Sequence, residues 1–449
     1  MTLLKCIVFV VVPAFLSLHS NQALSQTASA YTLKQAQDYA IKNSYQVKTS
    51  ILDKEIARHT VRAYKSIGLP FVAATGNFQN FIDRPTSIIP AGVFGPGTSD
   101  EFTEVQFGTK YNSSVGLSAN QMILDVSYFN GLKAAKAYAN LSLQAVTKTE
   151  LEIKIIIAQS YFSAQAAAES IAIFEANKKN IDKTLSDAKA MYVAGFMEEM
   201  DVEQLQLLAS SLDIMLSNAR NQADISLKLL KFQMGLGIGV PIELTDNLSI
   251  LVNAVEANIP ATEFSLQNHI DYQLAETNVM LMALNTKAEK SKYYPKLSGF
   301  FNYSQDAFRN DFDLFSGGKW YPTSLWGINL SFPLFTGFGQ HSIVQQAKLE
   351  HQKAEIQKEQ VTQSLTLQEQ SARAVYSTAL DSYQNQKKSL ALAKTIQQKT
   401  TSKFKEGLAS SMELTQAENQ YFNVQGDYIQ SILKLLNAKA TLDKALNKT

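Results

Sequence analysis

The sequence predicts an α+β membrane protein built from two repeats, each in the order helix, strand, strand, long helix, helix. Three observations lead to this fold class. The same order of segments occurs twice along 449 residues. Two helical runs are far longer than the average globular helix of about 11 residues. Strand candidates beside them alternate apolar and polar side chains, which is typical of sheets with one face in lipid.

The opening segment, residues 1–25, has the composition of a secretory signal peptide. Lys5 precedes an apolar run, and the small residues Ala23 and Ser25 stand where a signal peptidase would cut. A second candidate cleavage site follows the later stretch "ASA". The single cysteine, Cys6, lies inside this segment, so the mature chain would have no disulfide and no lipid-acceptor thiol. These features predict export to the bacterial envelope.

The charge balance gives no indication of a polyanionic partner. The chain has 41 basic and 40 acidic residues, and they are dispersed rather than clustered. Nucleic-acid binding depends on clustered Lys and Arg that neutralise phosphates, so we expect none here. No run of about 18 apolar residues follows the signal segment, so contact with a membrane interior would have to be made by strands.

The first repeat is predicted over residues 26–240. Its first helix ends before Pro70, because proline removes a backbone donor and restricts the residue that precedes it. Two strands follow at about 71–82 and 110–122, and then a helical hairpin at about 127–234. The first helix of that hairpin would span about 100 Å, which is too long for one compact core.

The second repeat, residues 266–449, has the same order of segments. Its first helix ends before Pro295, its strands are predicted at about 297–307 and 322–332, and its helical hairpin at about 339–446. In each repeat the shorter helices together nearly match the long helix in length. We therefore expect the short helices to stack end to end beside the long ones.

Residues 241–265 separate the two repeats. This stretch contains Pro and Asp-Asn and shows no helical periodicity. We interpret it as a linker that lies at the equator of the elongated molecule.

A glycine interrupts each helical hairpin at the matching place, and in the second hairpin small and polar residues follow it. Gly195 lies in "AGFMEEMDV" and Gly407 lies in "EGLASSMEL". Glycine adopts positive φ values without a steric penalty, and such residues commonly end helices. Each glycine therefore predicts a tight turn between two helices.

The last predicted strand has the clearest alternation. Trp326, Ile328, Leu330 and Phe332 alternate with residues that are mostly small or polar, Leu325, Gly327, Asn329 and Ser331. This period of two predicts a lipid-facing side and a water-facing side. A four-stranded sheet in a soluble α+β domain would show a similar pattern, and the strands alone leave that alternative open.

Four strands cannot close a barrel that encloses a lumen, and open sheet edges are not tolerated in lipid. A membrane sheet of this chain therefore requires further copies or other chains. The long helices are rich in Gln, Ser and Thr and have only a narrow apolar seam. Such helices predict a hollow bundle with water on both sides.

These features together resemble the TolC-like outer membrane efflux proteins. The residues that carry the resemblance are "YTLKQAQDYAIKNSYQV", "FPLFTGFGQ" and the two interrupted hairpins, and the similarity covers about residues 31–446. The resemblance implies a homotrimer with one twelve-stranded β-barrel that continues as a long α-helical periplasmic tunnel. It also implies an exit duct of a tripartite efflux or type I secretion system, working with a periplasmic adaptor protein and an inner-membrane pump.

The resemblance further implies two kinds of site at the periplasmic tip. The turns at Gly195, Phe196, Gly407 and Leu408 would be where the adaptor docks. The channel would narrow there, and the tip would open when adaptor and pump are recruited.

The periplasmic aperture would be lined by Asp201, Glu413, Tyr192 and Phe404. Three copies of each carboxylate would favour cations at a constriction. An acid in the first turn of a helix also stabilises the helix dipole, by about 0.3 to 1 kcal/mol, and this simpler role is an alternative. In the family a tyrosine and an arginine often bond the aspartate, but here Phe404 and Ala409 occupy those positions. We therefore expect Asp201 to lack its usual partners.

No arrangement typical of an enzyme is evident. The four histidines after the signal segment show no metal-ligand spacing, and we predict neither catalysis, nor a cofactor, nor a metal site. The chief alternative function is a soluble periplasmic coiled-coil adaptor or scaffold. An adaptor would have one helical hairpin between compact β domains, whereas this sequence has two hairpins and four long strands. The sequence does not identify the exported cargo.

Overall fold

The computed structural model describes residues 29–90, 102–256, 264–313 and 318–448. The predicted signal peptide lies outside the described residues. Two kinds of layer make up the chain: a four-stranded sheet, and a row of long helices that continues from it.

The first repeat contains the predicted elements and several additional ones. The additions are a break in the first helix, a short strand at the start and a second strand pair between the two long strands. Its elements are β1 (Ser29–Tyr31), α1 (Leu33–Asn43), α2 (Tyr45–Ser66), β2 (Phe71–Asn80), β3 (Thr86–Pro90), β4 (Phe102–Gln106), β5 (Tyr111–Leu124), α3 (Val126–Val193) and α4 (Glu199–Met234).

The second repeat follows a connection that is not the irregular linker predicted. Its first helix begins at Ile270, after a single 3₁₀ turn at Leu266–Asn268, rather than at 266. The connection and repeat comprise β6 (Ile242–Leu244), α5 (Leu248–Glu256), α6 (Ile270–Ser291), β7 (Lys296–Arg309), β8 (Tyr321–Ser331), α7 (Gly339–Lys405) and α8 (Ser411–Ala445).

The four long strands form one antiparallel sheet in the order β2-β5-β7-β8. Within the described chain, β2 and β8 are its edge strands. The shorter strands β3 and β4 form a separate antiparallel hairpin. The sequence analysis does not predict this hairpin, because strands of only five residues carry too little alternation to be recognised.

Cross-strand register sorts the side chains of the sheet into two faces. Directly paired residues lie on the same side of a sheet. The mainly apolar face contains Val72, Ala74, Phe78, Val115, Leu117, Ala119, Leu297, Phe301, Tyr303, Trp326, Ile328 and Leu330, with Asn80, Ser113, Gln121, Gln305, Arg309 and Ser324 among them. The polar face contains Thr75, Asn77, Gln79, Ser114, Ser118, Asn120, Asn302, Ser304, Asp306, Thr323 and Asn329, with Phe71, Phe300, Phe308 and Leu325 among them. The alternation found in one strand thus extends to all four.

The helices lie side by side in a row, and toward the tip α4 also packs against α8. Helix α3 packs against α4 and α8 in the half far from the sheet, and against α2 and α6 in the near half. Helix α7 packs against α8 and α6 and forms one edge of the row. The stacked pair α2 and α4 forms the other edge.

The predicted end-to-end stacking of the short helices is confirmed. Helix α4 ends where α2 begins, and the rings of Phe232 and Tyr45 lie 6.1 Å apart across that junction. Helix α8 ends where α6 begins. There Asn447 accepts a hydrogen bond from the Ile270 amide at 3.4 Å and donates one to the carbonyl of Asn268 at 3.0 Å.

The break between α1 and α2 falls at Ser44. Its backbone is extended (φ −60°, ψ 145°), and its hydroxyl accepts a hydrogen bond from the amide of Val47. Serine is a favoured helix N-cap, so it ends α1 and begins α2 at one position. The sequence pattern alone predicts one helix before Pro70, whereas the structure divides it into α1 and α2.

The largest core cluster lies at the middle of the row, around Tyr161. The buried Tyr161 hydroxyl donates to the carbonyl of Tyr31 at 3.0 Å and accepts from the amide of Asp246 at 3.2 Å. Strand β1 pairs in parallel with β6 beside it. The described residues 241–256 of the predicted linker therefore contribute a strand and the helix α5 to this cluster. None of the helices in the described ranges is long and apolar enough to cross a membrane.

Candidate functional site

The far ends of the two helical hairpins contain matching turns. Gly195 and Gly407 have left-handed backbones, with φ of 81° and 71°. The Phe196 amide donates to the carbonyl of Met191 at 2.9 Å, and the Leu408 amide donates to that of Lys403 at 2.8 Å. Bonds of this length and spacing define a Schellman motif, which requires positive φ at the glycine. Each glycine therefore ends a long helix, as the sequence predicts.

The turns present large apolar side chains to solvent. Phe196 is 84% exposed and Leu408 is 72% exposed, and Val193 and Met412 are also exposed. Tyr192 is 42% exposed on the last turn of α3. Exposed apolar groups of this size at the end of a rod are typical of a protein contact surface.

Glu413 belongs to a capping box at the start of α8. Its carboxylate accepts from the Ser410 amide at 3.0 Å, and its own amide donates to the Ser410 hydroxyl at 3.2 Å. This arrangement satisfies two backbone donors that the helix start leaves open. The side chain is exposed, so the helix-start role is present whether or not the carboxylate also faces an aperture.

Asp201 has a partner other than the tyrosine and arginine often found in the family. The hydroxyl of Ser411, at the start of α8, hydrogen-bonds to the carboxylate of Asp201 in the first turn of α4. The same hydroxyl lies 2.7 Å from the side-chain oxygen of Gln204. A hydroxyl has one proton, so Ser411 donates to Asp201 while the Gln204 amide, rotated by half a turn, donates to Ser411. This three-residue contact joins the two hairpins at their tips.

Phe404 does not occupy the position predicted for it. Its ring is only 7% exposed and packs with Ala188, Val202, Leu205 and Leu414. Ala409 is partly buried against the same cluster. An aperture-lining side chain must reach solvent, so Phe404 is corrected from a lining residue to a packing residue. Phenylalanine lacks the hydroxyl that would hold a tyrosine at a polar surface.

Sequence reasoning missed Ser411. The pattern Ser-x-x-Glu around the neighbouring Ser410 would have identified the capping box. Nothing local indicates the bond from Ser411 to Asp201, since 210 positions separate them.

The predicted lipid-facing residues lie together on the apolar face. Trp326, Ile328 and Leu330 are exposed in the isolated chain, and Phe332 follows directly after β8 and is also exposed. Trp326 pairs with Phe301 and Leu330 pairs with Leu297, so neighbouring strands extend the same surface. An exposed apolar sheet face of this extent is unusual for a soluble protein.

Two hairpins, a sheet with one apolar face and a row of water-exposed helices define a class of envelope channel. The model of the family described as "Outer membrane efflux protein" matches residues 36–236 and 261–448. The chain belongs to this family. It is an outer-membrane exit channel that extends into the periplasm, and the alternative of a soluble adaptor is rejected.

Curated relatives agree over nearly the whole length. The outer membrane protein TolC of Vibrio cholerae is 21% identical over 433 residues, which cover 94% of this chain and 93% of that protein. The probable efflux pump outer membrane protein TtgC of Pseudomonas putida is 21% identical over 417 residues, which cover 92% and 82%.

Solved structures share the fold. CusC superposes with a TM-score of 0.74 at 17% identity and covers 95% of this chain and 96% of that one. The open state of the Neisseria gonorrhoeae MtrE channel gives a TM-score of 0.72 at 18% identity and covers 93% and 89%. The predicted fold class, a barrel continued by a helical tunnel, is therefore confirmed.

Proposed function

We propose that three copies of this chain form a passive exit duct whose periplasmic tip opens when an adaptor and an inner-membrane pump dock. The main support for this proposal comes from the edges of the four-stranded sheet. Its edge strands β2 and β8 have no partner within the described chain, and an unpaired edge is not tolerated in lipid.

The direction of the edge strands favours closure by identical copies. Strand β2 leads away from the helices and β8 leads back to them. The β8 of one copy therefore meets the β2 of the next in antiparallel orientation, which continues the ladder of the sheet. Three sheets of four strands give a closed barrel of twelve, with the apolar faces outward and the polar faces around a lumen.

The helical row has two edges that suit the same closure. Each edge carries a line of exposed apolar side chains at helical spacing. On α7 these are Leu349, Ile356, Leu367 and Val375, and on the stacked α4 and α2 they are Leu207, Ile214, Ile225, Leu52 and Ile56. Different surfaces that meet head to tail generate a ring when the rotation closes. The trimer would thus bury both lines between neighbouring copies.

Adaptor docking is assigned to the apolar turns around Phe196 and Leu408. They are the most distant points from the sheet and project at the ends of both hairpins. The assignment of Glu413, Asp201 and Tyr192 to the aperture is likewise part of this proposal. Energy and cargo selection would come from the pump, so the chain itself would be a conduit without catalytic function.

Fractionation and cross-linking test the proposal. The mature chain is expected to contain no cysteine, so any disulfide that forms must join introduced cysteines. Thr75→Cys in β2 combined with Leu325→Cys or Asn329→Cys in β8 places thiols on the polar faces of the two edges. Intermolecular disulfides up to a trimer in the outer-membrane fraction are expected for at least one pair. A soluble periplasmic monomer, or dimers alone, would overturn the trimeric duct.

A further inference from the structure

A carboxylate is buried inside the second hairpin without a cation beside it. Glu418 on α8 is only 4% exposed. Its Oε1 accepts a hydrogen bond from Gln397 on α7 at 2.7 Å. Within the described part of the chain, no Lys, Arg or His lies within ion-pair distance of it. A buried charge normally needs a partner of opposite sign, and otherwise it takes up a proton.

The surroundings of Glu418 are polar but supply no such partner. A cavity of about 430 Å³ lies between α3, α7 and α8. The ionisable groups that face it are Glu169 on α3, Lys394 on α7 and Tyr421 on α8, and the rest of the polar lining is Asn177, Asn180, Gln397, Gln398 and Gln425. Glu169 and Lys394 are exposed, so their charges are screened by water. Asn177 donates to Gln425 at 2.7 Å across the cavity.

The first hairpin is held differently. There, ion pairs connect α3 to α4: Lys178 to Asp213 at 2.9 Å and Arg220 to Glu175 at 2.7 Å. In the second hairpin, nearer to the turn, α7 and α8 are connected by the hydrogen bond from Gln397 to Glu418. The packing of α7 against α8 at this level is therefore exposed to the ionisation state of Glu418.

We propose that Glu418 makes the α7–α8 hairpin sensitive to protons, so that proton uptake tightens the packing of these helices and proton loss loosens it. The neutral acid still accepts from Gln397 and needs no counter-charge. The carboxylate must be hydrated, and the cavity beside it is the route by which water enters. This inference concerns the hairpin itself and holds whether or not an adaptor docks at its tip.

The direction in which the pKa of Glu418 shifts follows from its burial. Burial raises the pKa of Glu418, and hydrogen bonds from Gln397 and Thr401 oppose this in part. The folded hairpin therefore binds this proton more tightly than the unfolded chain does. Its stabilising contribution is complete below the ordinary glutamate pKa and is lost as the pH rises through the folded value.

Hydrogen exchange of the purified full-length protein in detergent tests the proposal. After correction for intrinsic exchange chemistry, amides of residues 397–418 are expected to be several-fold better protected at about pH 5 than at about pH 8. Glu418→Gln should keep the protected state at both pH values, because the amide is neutral and has the same shape. Glu169→Gln, on the exposed rim of the same cavity, should respond as the wild type does.

A second variant keeps the test decisive if Glu418→Gln assembles poorly. Gln397→Leu removes the hydrogen-bond donor to the carboxylate, so the pKa of Glu418 should rise further. The pH at which the amides lose their protection should therefore be higher. The proposal is overturned if wild type and Glu418→Gln respond equally to pH, if Glu169→Gln abolishes the response, or if sodium concentration at fixed pH produces it.

Discussion

The hydroxyl of Ser411 donates a hydrogen bond to the carboxylate of Asp201 and so joins the start of α8 to the start of α4. Ser411 is only 2% exposed, which shields this bond from water. The tip is thus connected by a neutral donor and a carboxylate, at a place where family members often use a tyrosine and an arginine. A single hydroxyl forms fewer bonds than those two groups, so the connection should be easier to break.

Removal of this bond should loosen the tip. Ser411→Ala leaves Asp201 without its donor, and we expect a loss of about 1–3 kcal/mol in the coupling of the two hairpins. In planar bilayers the variant should show a higher open probability than the wild type. Ser402→Ala is the matched control, because that exposed hydroxyl bonds only the Gln398 carbonyl of its own helix. Equal open probability in Ser411→Ala and the control would contradict this role.

The turn glycines should matter for export rather than for assembly. Gly195→Leu or Gly407→Leu would force a side chain into a left-handed backbone, which costs roughly 1–2 kcal/mol and distorts the docking turn. We expect intact barrels and trimers but lost export and weaker cross-linking to the cognate adaptor. Gly426→Leu, inside α8 with open space around it, should retain export. Survival of export in the double turn variant would show that docking occurs elsewhere.

Much of the fold could be predicted because its signals are local. Helix length, the glycines that end the helices and the alternation in β8 are each visible within a few dozen residues. The strand β1 could not be predicted, because it is three residues long and pairs with β6, on the far side of the whole first repeat. Short strands carry too little pattern to be recognised without their partner.

The tip was predicted less completely than the fold. The turns follow from glycine chemistry. Tyr192 and Glu413 are exposed in the single chain, and their place at an aperture stays a prediction. Phe404 could not be placed, because an aromatic ring near a turn is compatible with packing or with exposure. The partner of Asp201 was missed because the hydrogen bond depends on how two hairpins meet, and that geometry is tertiary.

The apolar face of the sheet should tolerate no charge. Ile328→Arg should cost about 2–4 kcal/mol if the residue lies near the bilayer midplane. Asn329→Arg adds the same charge on the polar face one position away and should be tolerated. The yield of heat-modifiable trimer in the outer membrane measures both. Equal losses would mean that the two faces do not separate lipid from water.

Acid should weaken the junction of α6 and α8 at His269. The buried Nδ1 of this residue accepts from the Asp271 amide at 3.2 Å and caps α6. Burial lowers the pKa of His269, and the charges of Lys148 and Lys444 act in the same direction. The Asp271 charge and a hydrogen bond with the Lys444 backbone oppose this in part. The stabilisation is therefore present above the ordinary histidine pKa and is lost as the pH falls through the folded value.

His269→Asn keeps a side-chain acceptor at the N-cap but cannot titrate there. As the pH is lowered below about 6.5, the Tm of the wild type should fall more steeply than the Tm of this variant. His59→Asn, at an exposed position on α2, should leave the pH dependence of the wild type unchanged. A constant difference between wild type and His269→Asn across this range would remove His269 from the acid response.

The capping box allows the charge of Glu413 to be separated from its structural role. Glutamine at this position of a capping box also accepts from the N-cap amide, so Glu413→Gln should leave Tm nearly unchanged. If three carboxylates converge at the aperture, the variant should reduce cation selectivity and weaken block by multivalent cations in planar bilayers.

Ser410→Ala provides the converse control, since it removes a cap worth about 1 kcal/mol and leaves the carboxylate charge in place. It should lower Tm without changing selectivity. Unchanged selectivity in Glu413→Gln would confine this residue to the start of α8, where its bonds to Ser410 already explain it.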